Sequence, residues 1–277
     1  MEKLKTTGKR GNGSVIYMPS SRAGEYAKWA CNFYIGCSNN CDYCYCKRGV
    51  LSKTLGKPYT ELKKAFKDEQ DAFDRFKANV AKYLPELQKA GLFFTFTTDP
   101  MLKENRDLHW KAALYAVSQG INVKFLTKRA DFIEHLDLER RSDEVKKRIA
   151  WGFTLTGLDN REPNASTNTE RIAAMKRLHN MGFKTFASIE PVIIPLMSMD
   201  CIMQTRDFCD LYKIGLMSGH RDYSRKEIED FVVRASDAID MVGGKVYWKE
   251  SVREFIGHEI ECSAGVGSDY DLFNDEW

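Results

Sequence analysis

The 277-residue chain is 43% hydrophobic and 29% charged, enough apolar content to bury one large core or two small ones. No apolar run approaches the roughly 18 residues of a membrane-spanning helix, and the first ten residues hold no apolar signal-peptide stretch. A helical membrane protein is therefore excluded, and the expected compartment is the cytoplasm. The formal net charge of +3 is lopsided: residues 1–60 carry ten Lys/Arg against three carboxylates, whereas residues 259–277 carry six carboxylates and no Lys or Arg. The basic stretch suits an anionic partner such as a nucleic acid, or simply a solvated face.

Eight cysteines in a long cytoplasmic chain argue against a disulfide framework and for reduced thiols or metal ligands. Residues 1–24, with Gly8, Gly11, Gly13 and Pro19-Ser20-Ser21, read as an irregular basic arm. Apolar, β-prone runs follow at 29–35, 92–97, 122–126, 150–155, 184–189, 211–214 and 245–248. Between them, apolar residues at three and four spacing predict helices over 60–90, 105–119, 131–148, 168–181 and 224–241. Gly91, Gly120, Gly182 and Gly243 or Gly244 stand where those helices should stop. Strand then helix, repeated, specifies an α/β protein with a buried parallel sheet. The number of units, and the lack of a GxGxxG after the first strand, favour a partial (β/α)6-type barrel of parallel strands with outer helices. The expected organisation is an irregular arm (1–24), one barrel domain (25–257) and an acidic C-terminal tail (258–277).

Four of the cysteines fall within "GCSNNCDYCYC", residues 36–46, directly after the first strand. Ligands gather at the carboxyl ends of parallel strands, so this loop belongs at the site. Cys37, Cys41 and Cys44, spaced C-x3-C-x2-C, offer three thiolates to one centre and leave one position open. The spacing favours iron–sulfur, but zinc remains open, its fourth ligand being Cys46 or one of His109, His135, His179, His220 and His258. Cys31, Cys201, Cys209 and Cys262 are expected to be buried or inert, and Trp110, Trp151 and Trp248 to belong to the core.

The loop resembles the C-x3-C-x-aromatic-C signature of the radical S-adenosylmethionine (radical SAM) superfamily, with Tyr43 at the aromatic position. Further strand ends, "FTFTTDP" (94–100), "KFLTK" (124–128), "WGFTLTG" (151–157) and "ASIEPV" (187–192), are similar to its spore photoproduct lyase-like branch. The resemblance covers residues 28–250 or so. It implies a [4Fe–4S] cluster on Cys37, Cys41 and Cys44, whose fourth iron takes S-adenosylmethionine, and cleavage of that cofactor to a 5′-deoxyadenosyl radical that abstracts hydrogen from a substrate. It also implies that Lys128 holds the cofactor's carboxylate. Thr98, Asp99, Thr156, Ser188 and Glu190, with Tyr43, are the further cofactor-binding candidates, although Asp99-Pro100 and Glu190-Pro191 equally suit turns that end strands. The catalytic side chains are not indicated.

Two departures stand out. Thr97-Thr98-Asp99 replaces the "GGE"-like motif that many members carry after the second strand. The lyase's hydrogen-donating cysteine has no counterpart, because no cysteine lies between Cys46 and Cys201, so thymine-dimer repair is not expected. Lys249 and Glu250, after the last strand, either face the pocket or form a surface ion pair. An electron donor such as flavodoxin or ferredoxin is implied as partner; the substrate is unassigned, with nucleic acid one class, no membrane is involved, and a monomer or weak dimer is expected. The reading from a different class is a zinc- or iron–sulfur-stabilised nucleic-acid-binding module without catalysis.

Overall fold

The computed structural model describes residues 14–219 and 221–274. Ten strands are present among them: β1 (Ile16–Tyr17), β2 (Ala30–Cys31), β3 (Tyr34–Ile35), β4 (Glu61–Leu62), β5 (Leu92–Phe94), β6 (Val123–Thr127), β7 (Ile149–Thr154), β8 (Lys184–Val192), β9 (Leu211–Leu216) and β10 (Lys245–Trp248). Eight form one sheet in the order β1-β2-β5-β6-β7-β8-β9-β10, in which only the β1–β2 pairing is antiparallel. The helices are α1 (Ser52–Leu55), α2 (Glu69–Lys82), α3 (Leu84–Ala90), α4 (Arg106–Ser118), α5 (Asp143–Lys146), α6 (Asn168–Asn180), α7 (Pro195–Thr205), α8 (Arg225–Asp240) and α9 (Glu250–Ile256). The expected α/β architecture of parallel strands and outer helices is present, with seven parallel strands rather than six and no pairing between β10 and β1 to close it.

Curvature follows from contacts that a flat sheet could not make. Tyr26, just before β2, lies 2.7 Å through its hydroxyl from Ser188 Oγ on β8, four strands away in the sheet order. At about 4.8 Å per strand that separation would approach 19 Å if the sheet were flat. Lys213 on β9 likewise donates to the Glu25 carbonyl at 2.7 Å. The inward face carries Phe93, Phe186, Leu211 and Tyr26 in one buried cluster. Phe186 fits because its β7 neighbour is Gly152: a Cβ there would stand 2.1 Å from the ring. The chain from 264 to 273 lies under the same cluster, joined to β10 through Val266 N–H to the Val246 carbonyl (2.9 Å), with Leu272 buried.

Several expected elements are redrawn. The strand expected over 29–35 is divided at Asn32, whose buried side-chain oxygen accepts from Thr95 Oγ1 and Phe96 N (2.9 Å), so the chain turns away and β3 pairs with β4 instead. Of the helix expected over 60–90, residues 61–62 are strand β4 instead, and the remainder splits at Tyr83 into α2 and α3, because Pro85 fits only the first turn of a helix. That expected over 131–148 is a 3-10 turn (Asp131–Glu134) and the short α5. Leu136 and Leu138 are both buried, and two residues apart they would lie on nearly opposite sides of a helix. Helices α1, α7 and α9 were not expected; α7 opens on Pro195 at its first position, a start signal. Capping boxes of Thr167 with Glu170 and Ser224 with Glu227 open α6 and α8, and Gly91 closes α3 with φ +70°. Of the expected arm, residues 1–13 lie outside the described residues, while Ile16–Tyr17 make the edge strand.

Burial, then the neighbouring Lys124 and Lys249 charges, push Lys213 down to about 7. An unfolded chain holds that proton to about pH 10.4. The unfolded state therefore binds more protons between those values, and stability gains as pH rises through that window. Chemical denaturation should find the gap between Lys213→Met and the parent shifting in the parent's favour from pH 7 to 10; a pH-independent gap would refute the buried, depressed lysine. Gly152→Ala should cost about 1–3 kcal/mol by overpacking. In a Phe186→Leu background, which lacks the colliding ring atoms, a double-mutant cycle should recover most of that loss.

Candidate active site

The cysteine loop is shaped by its glycine and held by partners on two sides. Gly36 has φ +76°, and a Cβ there would stand 2.1 Å from the Tyr59 carbonyl oxygen, so no other residue fits. Cys37 N–H donates to the Lys57 carbonyl (3.0 Å) and Asn40 N–H returns to the Cys37 carbonyl (3.3 Å). Asn40 itself takes φ +54° and is latched by Lys47 Nζ, 2.6 Å from its side-chain oxygen.

From one side the loop is tied by Asp99. Its buried carboxylate accepts from Asn39 Nδ2 (2.8 Å), Thr127 Oγ1 (2.6 Å), Lys128 N (2.7 Å) and Met101 N (3.0 Å), so it joins the cysteine loop to the ends of β5 and β6. From the other side, Tyr43 donates its hydroxyl to Glu162, which pairs with Arg171; the Glu162 and Arg171 side chains are fully buried. Arg171 also donates to the Thr154 carbonyl at the end of β7 (2.6 Å). Burial, reinforced by the Glu162 charge, pushes the Tyr43 phenol well above its ordinary value and keeps it neutral. Asp42 and Arg161 form a further ion pair between the same segments.

A cavity of about 470 Å³ opens over the carboxyl ends of the strands, within the usual range for small-molecule sites. Cys37, Cys41 and Cys44 line it as free thiols. So do Tyr43, Thr98, Asp99, Lys128, Ser188 and Glu190. Thr156 does not: it is buried, its hydroxyl accepts from Leu158 N (3.2 Å) within the turn, and Thr154 lines the cavity in its place. Asp99 is consumed by its four hydrogen bonds and acts as an anchor of the loop. Lys128 Nζ lies 5.5 Å above the Tyr43 ring. Burial disfavours its charge, but Cys41 and Glu162 outweigh that and raise it above an ordinary lysine.

The opposite wall holds a network that sequence reasoning left half-seen. Lys249 is almost fully buried and donates to both Glu190 oxygens (2.7 and 2.8 Å), with Glu25 at 3.2 Å. Tyr26 donates to Glu190 as well. Gly215 leaves room for this pair, since a Cβ would come within 2.9 Å of Glu190 Oε1 and 3.0 Å of Lys249 Cδ. Lys249 thus faces the pocket, while Glu250 is exposed. Tyr26 lies in an irregular segment with no periodic signal to mark it.

The donors suit a cluster. Three thiols share one cavity with an apolar flank of Tyr43, Ile193, Leu158 and Met217. Three cysteine thiolates, with no nearby fourth thiolate on the cavity other than Cys46 among the described residues, are a donor set of the kind an iron–sulfur cluster takes. His109 is buried and bonded to the Asn105 carbonyl (3.0 Å), and His220 lies outside the described residues.

Comparison with known proteins agrees. The chain is similar to uncharacterised protein MJ0683 of Methanocaldococcus jannaschii, 21% identical over 244 residues that cover 83% of this chain and 85% of that one. A tyrosine-to-phenylalanine variant of spore photoproduct lyase superposes with a TM-score of 0.64 at 16% identity, over 86% of this chain and 79% of the lyase. A second lyase variant, with bound AdoMet and dinucleoside spore photoproduct, gives 0.55 at 16% identity; 75% of this chain matches it, and the chain spans 61% of that lyase chain. These likenesses show the fold. The model of the radical SAM superfamily matches residues 31–209, more than half of the sequence and including the cysteine loop. The chain therefore belongs to the radical SAM superfamily, and is an enzyme whose cofactors are a [4Fe–4S] cluster and S-adenosylmethionine.

Proposed function

We propose that Cys37, Cys41 and Cys44 hold three irons of the cluster, and that S-adenosylmethionine lies in the 470 Å³ cavity against the fourth. The observation that carries this reading is the meeting of those three thiols and Lys128 on one cavity. When bound, the two cofactors supply a 5′-deoxyadenosyl radical by one-electron cleavage of the sulfonium. The chain's part is to bind, orient and shelter. Lys128, held charged above Tyr43, is suited to the methionine carboxylate. Glu190, oriented by Lys249 and Tyr26, is a fixed acceptor for hydroxyl or ammonium groups, and Ser188 and Thr98 are further polar contacts. Asp99 and the Glu162–Arg171 pair keep the loop in register with the strand ends.

The same opening would admit the substrate, and the cofactors, when bound, would supply the chemistry to abstract hydrogen from one of its C–H bonds. A nucleic acid or nucleotide-related substrate is supported by Arg22, Arg48 and Lys57 along the cavity and by the dinucleoside spore photoproduct bound to the similar lyase. A one-electron donor serves the cluster, and a reducing cytoplasm suits eight unpaired thiols. Among the described residues no helix is long and apolar enough to cross a membrane.

Cys41→Ala should remove iron, sulfide and the brown chromophore after anaerobic reconstitution, and with them 5′-deoxyadenosine formation under dithionite. A variant that still cleaves the cofactor, or a parent that carries one zinc and no iron, overturns the reading. Lys128→Ala should keep the cluster but weaken S-adenosylmethionine binding about tenfold, roughly 1.4 kcal/mol. Equilibrium dialysis measures this directly, and an unchanged Kd removes Lys128 from the cofactor site.

A further inference from the structure

We propose that Asp99 does more than anchor the cysteine loop: its fixed negative charge lowers the reduction potential of the cluster and so strengthens it as a one-electron reductant. This inference rests on the reading that Cys37, Cys41 and Cys44 hold the cluster, and it assigns to one side chain the setting of the cluster's driving force.

The protonation state of Asp99 follows from its hydrogen bonds. Thr127 Oγ1 (2.6 Å) and Met101 N (3.0 Å) lie on Oδ1, and Asn39 Nδ2 (2.8 Å) and Lys128 N (2.7 Å) lie on Oδ2. The three amide groups can only donate, and the Thr127 hydroxyl oxygen already accepts from Arg129 N (2.9 Å), which leaves its proton for Asp99. Four donors fill the four acceptor positions of a carboxylate and leave no place for a proton. The site therefore selects the anion.

That charge is not cancelled. Asp99 is 7% exposed, and among the described residues no lysine or arginine nitrogen lies within ion-pair distance of it, whereas Glu162 is matched by Arg171 and Glu190 by Lys249. Neutral donors spread the charge of Asp99 without neutralising it, and burial keeps it from the screening that salt gives a surface charge.

The thiols lie beside it. Asn39, which holds Asp99 Oδ2, stands two positions after Cys37, and Cys37 and Asp99 line the same cavity. Beyond burial, Asp99 is the group that most disfavours negative charge on Cys37. Lys128 occupies the other flank, with Nζ 5.5 Å above the ring of Tyr43, the residue before Cys44. Beyond burial, it is the group that most favours negative charge on Cys41. The thiols are thus set between an anion and a cation. Reduction adds one electron to the cluster and changes no bond, so it is harder beside a fixed anion and easier beside a fixed cation. Where Lys128 is engaged by the carboxylate of S-adenosylmethionine, Asp99 remains as the unmatched charge.

The test is an EPR-monitored redox titration of the reconstituted full chain, without S-adenosylmethionine, at fixed pH and ionic strength. Asp99→Asn should raise the midpoint potential by at least 59 mV, a tenfold shift of a one-electron equilibrium. Lys128→Gln should lower it, and the double variant should fall between the two. Thr127→Val removes one of the four donors but keeps the charge, so its potential should stay at or below that of the parent. A merely structural anchor predicts the opposite pattern, with Asp99→Asn and Thr127→Val shifted together. Equal potentials in parent and Asp99→Asn, or a rise in Thr127→Val that matches the rise in Asp99→Asn, overturn the inference. Should Asp99→Asn take up no iron, the other two single variants decide: both at or below the parent support it, and a rise in either overturns it. A parent that takes up no iron strikes the cluster reading and this inference with it, whereas equal potentials leave the cluster reading standing.

Discussion

The site depends on one buried carboxylate. Asp99 accepts four hydrogen bonds, from the side chain of Asn39 in the cysteine loop, from the hydroxyl of Thr127 at the end of β6, and from the backbone of Lys128 and Met101. A desolvated carboxylate is costly unless its oxygens are satisfied. Here the groups that satisfy it are the pieces that must be brought together: the loop with the thiols, the strand end that carries Lys128, and the turn after β5. The geometry of the cysteine loop and the position of the lysine are thus set by the same anion.

Around that anchor the molecule divides its charges by depth. Near the cysteines, Glu162 and Arg171 neutralise one another out of contact with solvent, with Tyr43 as a neutral intermediary. Across the cavity, Lys249 stands between Glu190 and Glu25, and Tyr26 spans from the segment before β2 to β8. Both networks cross between non-neighbouring strands. The second, which joins the residue after β10 to the segment before β2, does for the open side of the sheet what ladder hydrogen bonds would do in a closed barrel.

Much of this was legible from residue patterns, for physical reasons that also explain what was not. Buried parallel strands carry continuous apolar runs, so β6 to β10 stood where such runs fell, and the three clustered thiols of one loop are a signal few other arrangements produce. Local grammar failed where a single side chain overrode it. Asn32 breaks an apolar run by bonding across to Phe96, Pro85 divides a long helical pattern, and Leu136 with Leu138 mimic helical spacing without its geometry. Lys128, Ser188 and Glu190 were visible because strand ends face the site. Thr156 shared that logic but lies past the end of β7, where the chain turns its hydroxyl back on Leu158. Tyr26 and the role of Lys249 were hidden because both depend on contacts across the lumen that no local window contains.

The packing of the chain's last described stretch bears on where a ligand can lie. Leu272, Tyr270 and Phe273 fill the lumen beneath Phe93 and Phe186, and Lys124 lies near Asp271 there, at the amino ends of the strands. Apolar side chains thus occupy the lumen at that end, and the cavity is confined to the opposite one, so that ligand chemistry and core packing are assigned to opposite ends of the same strands.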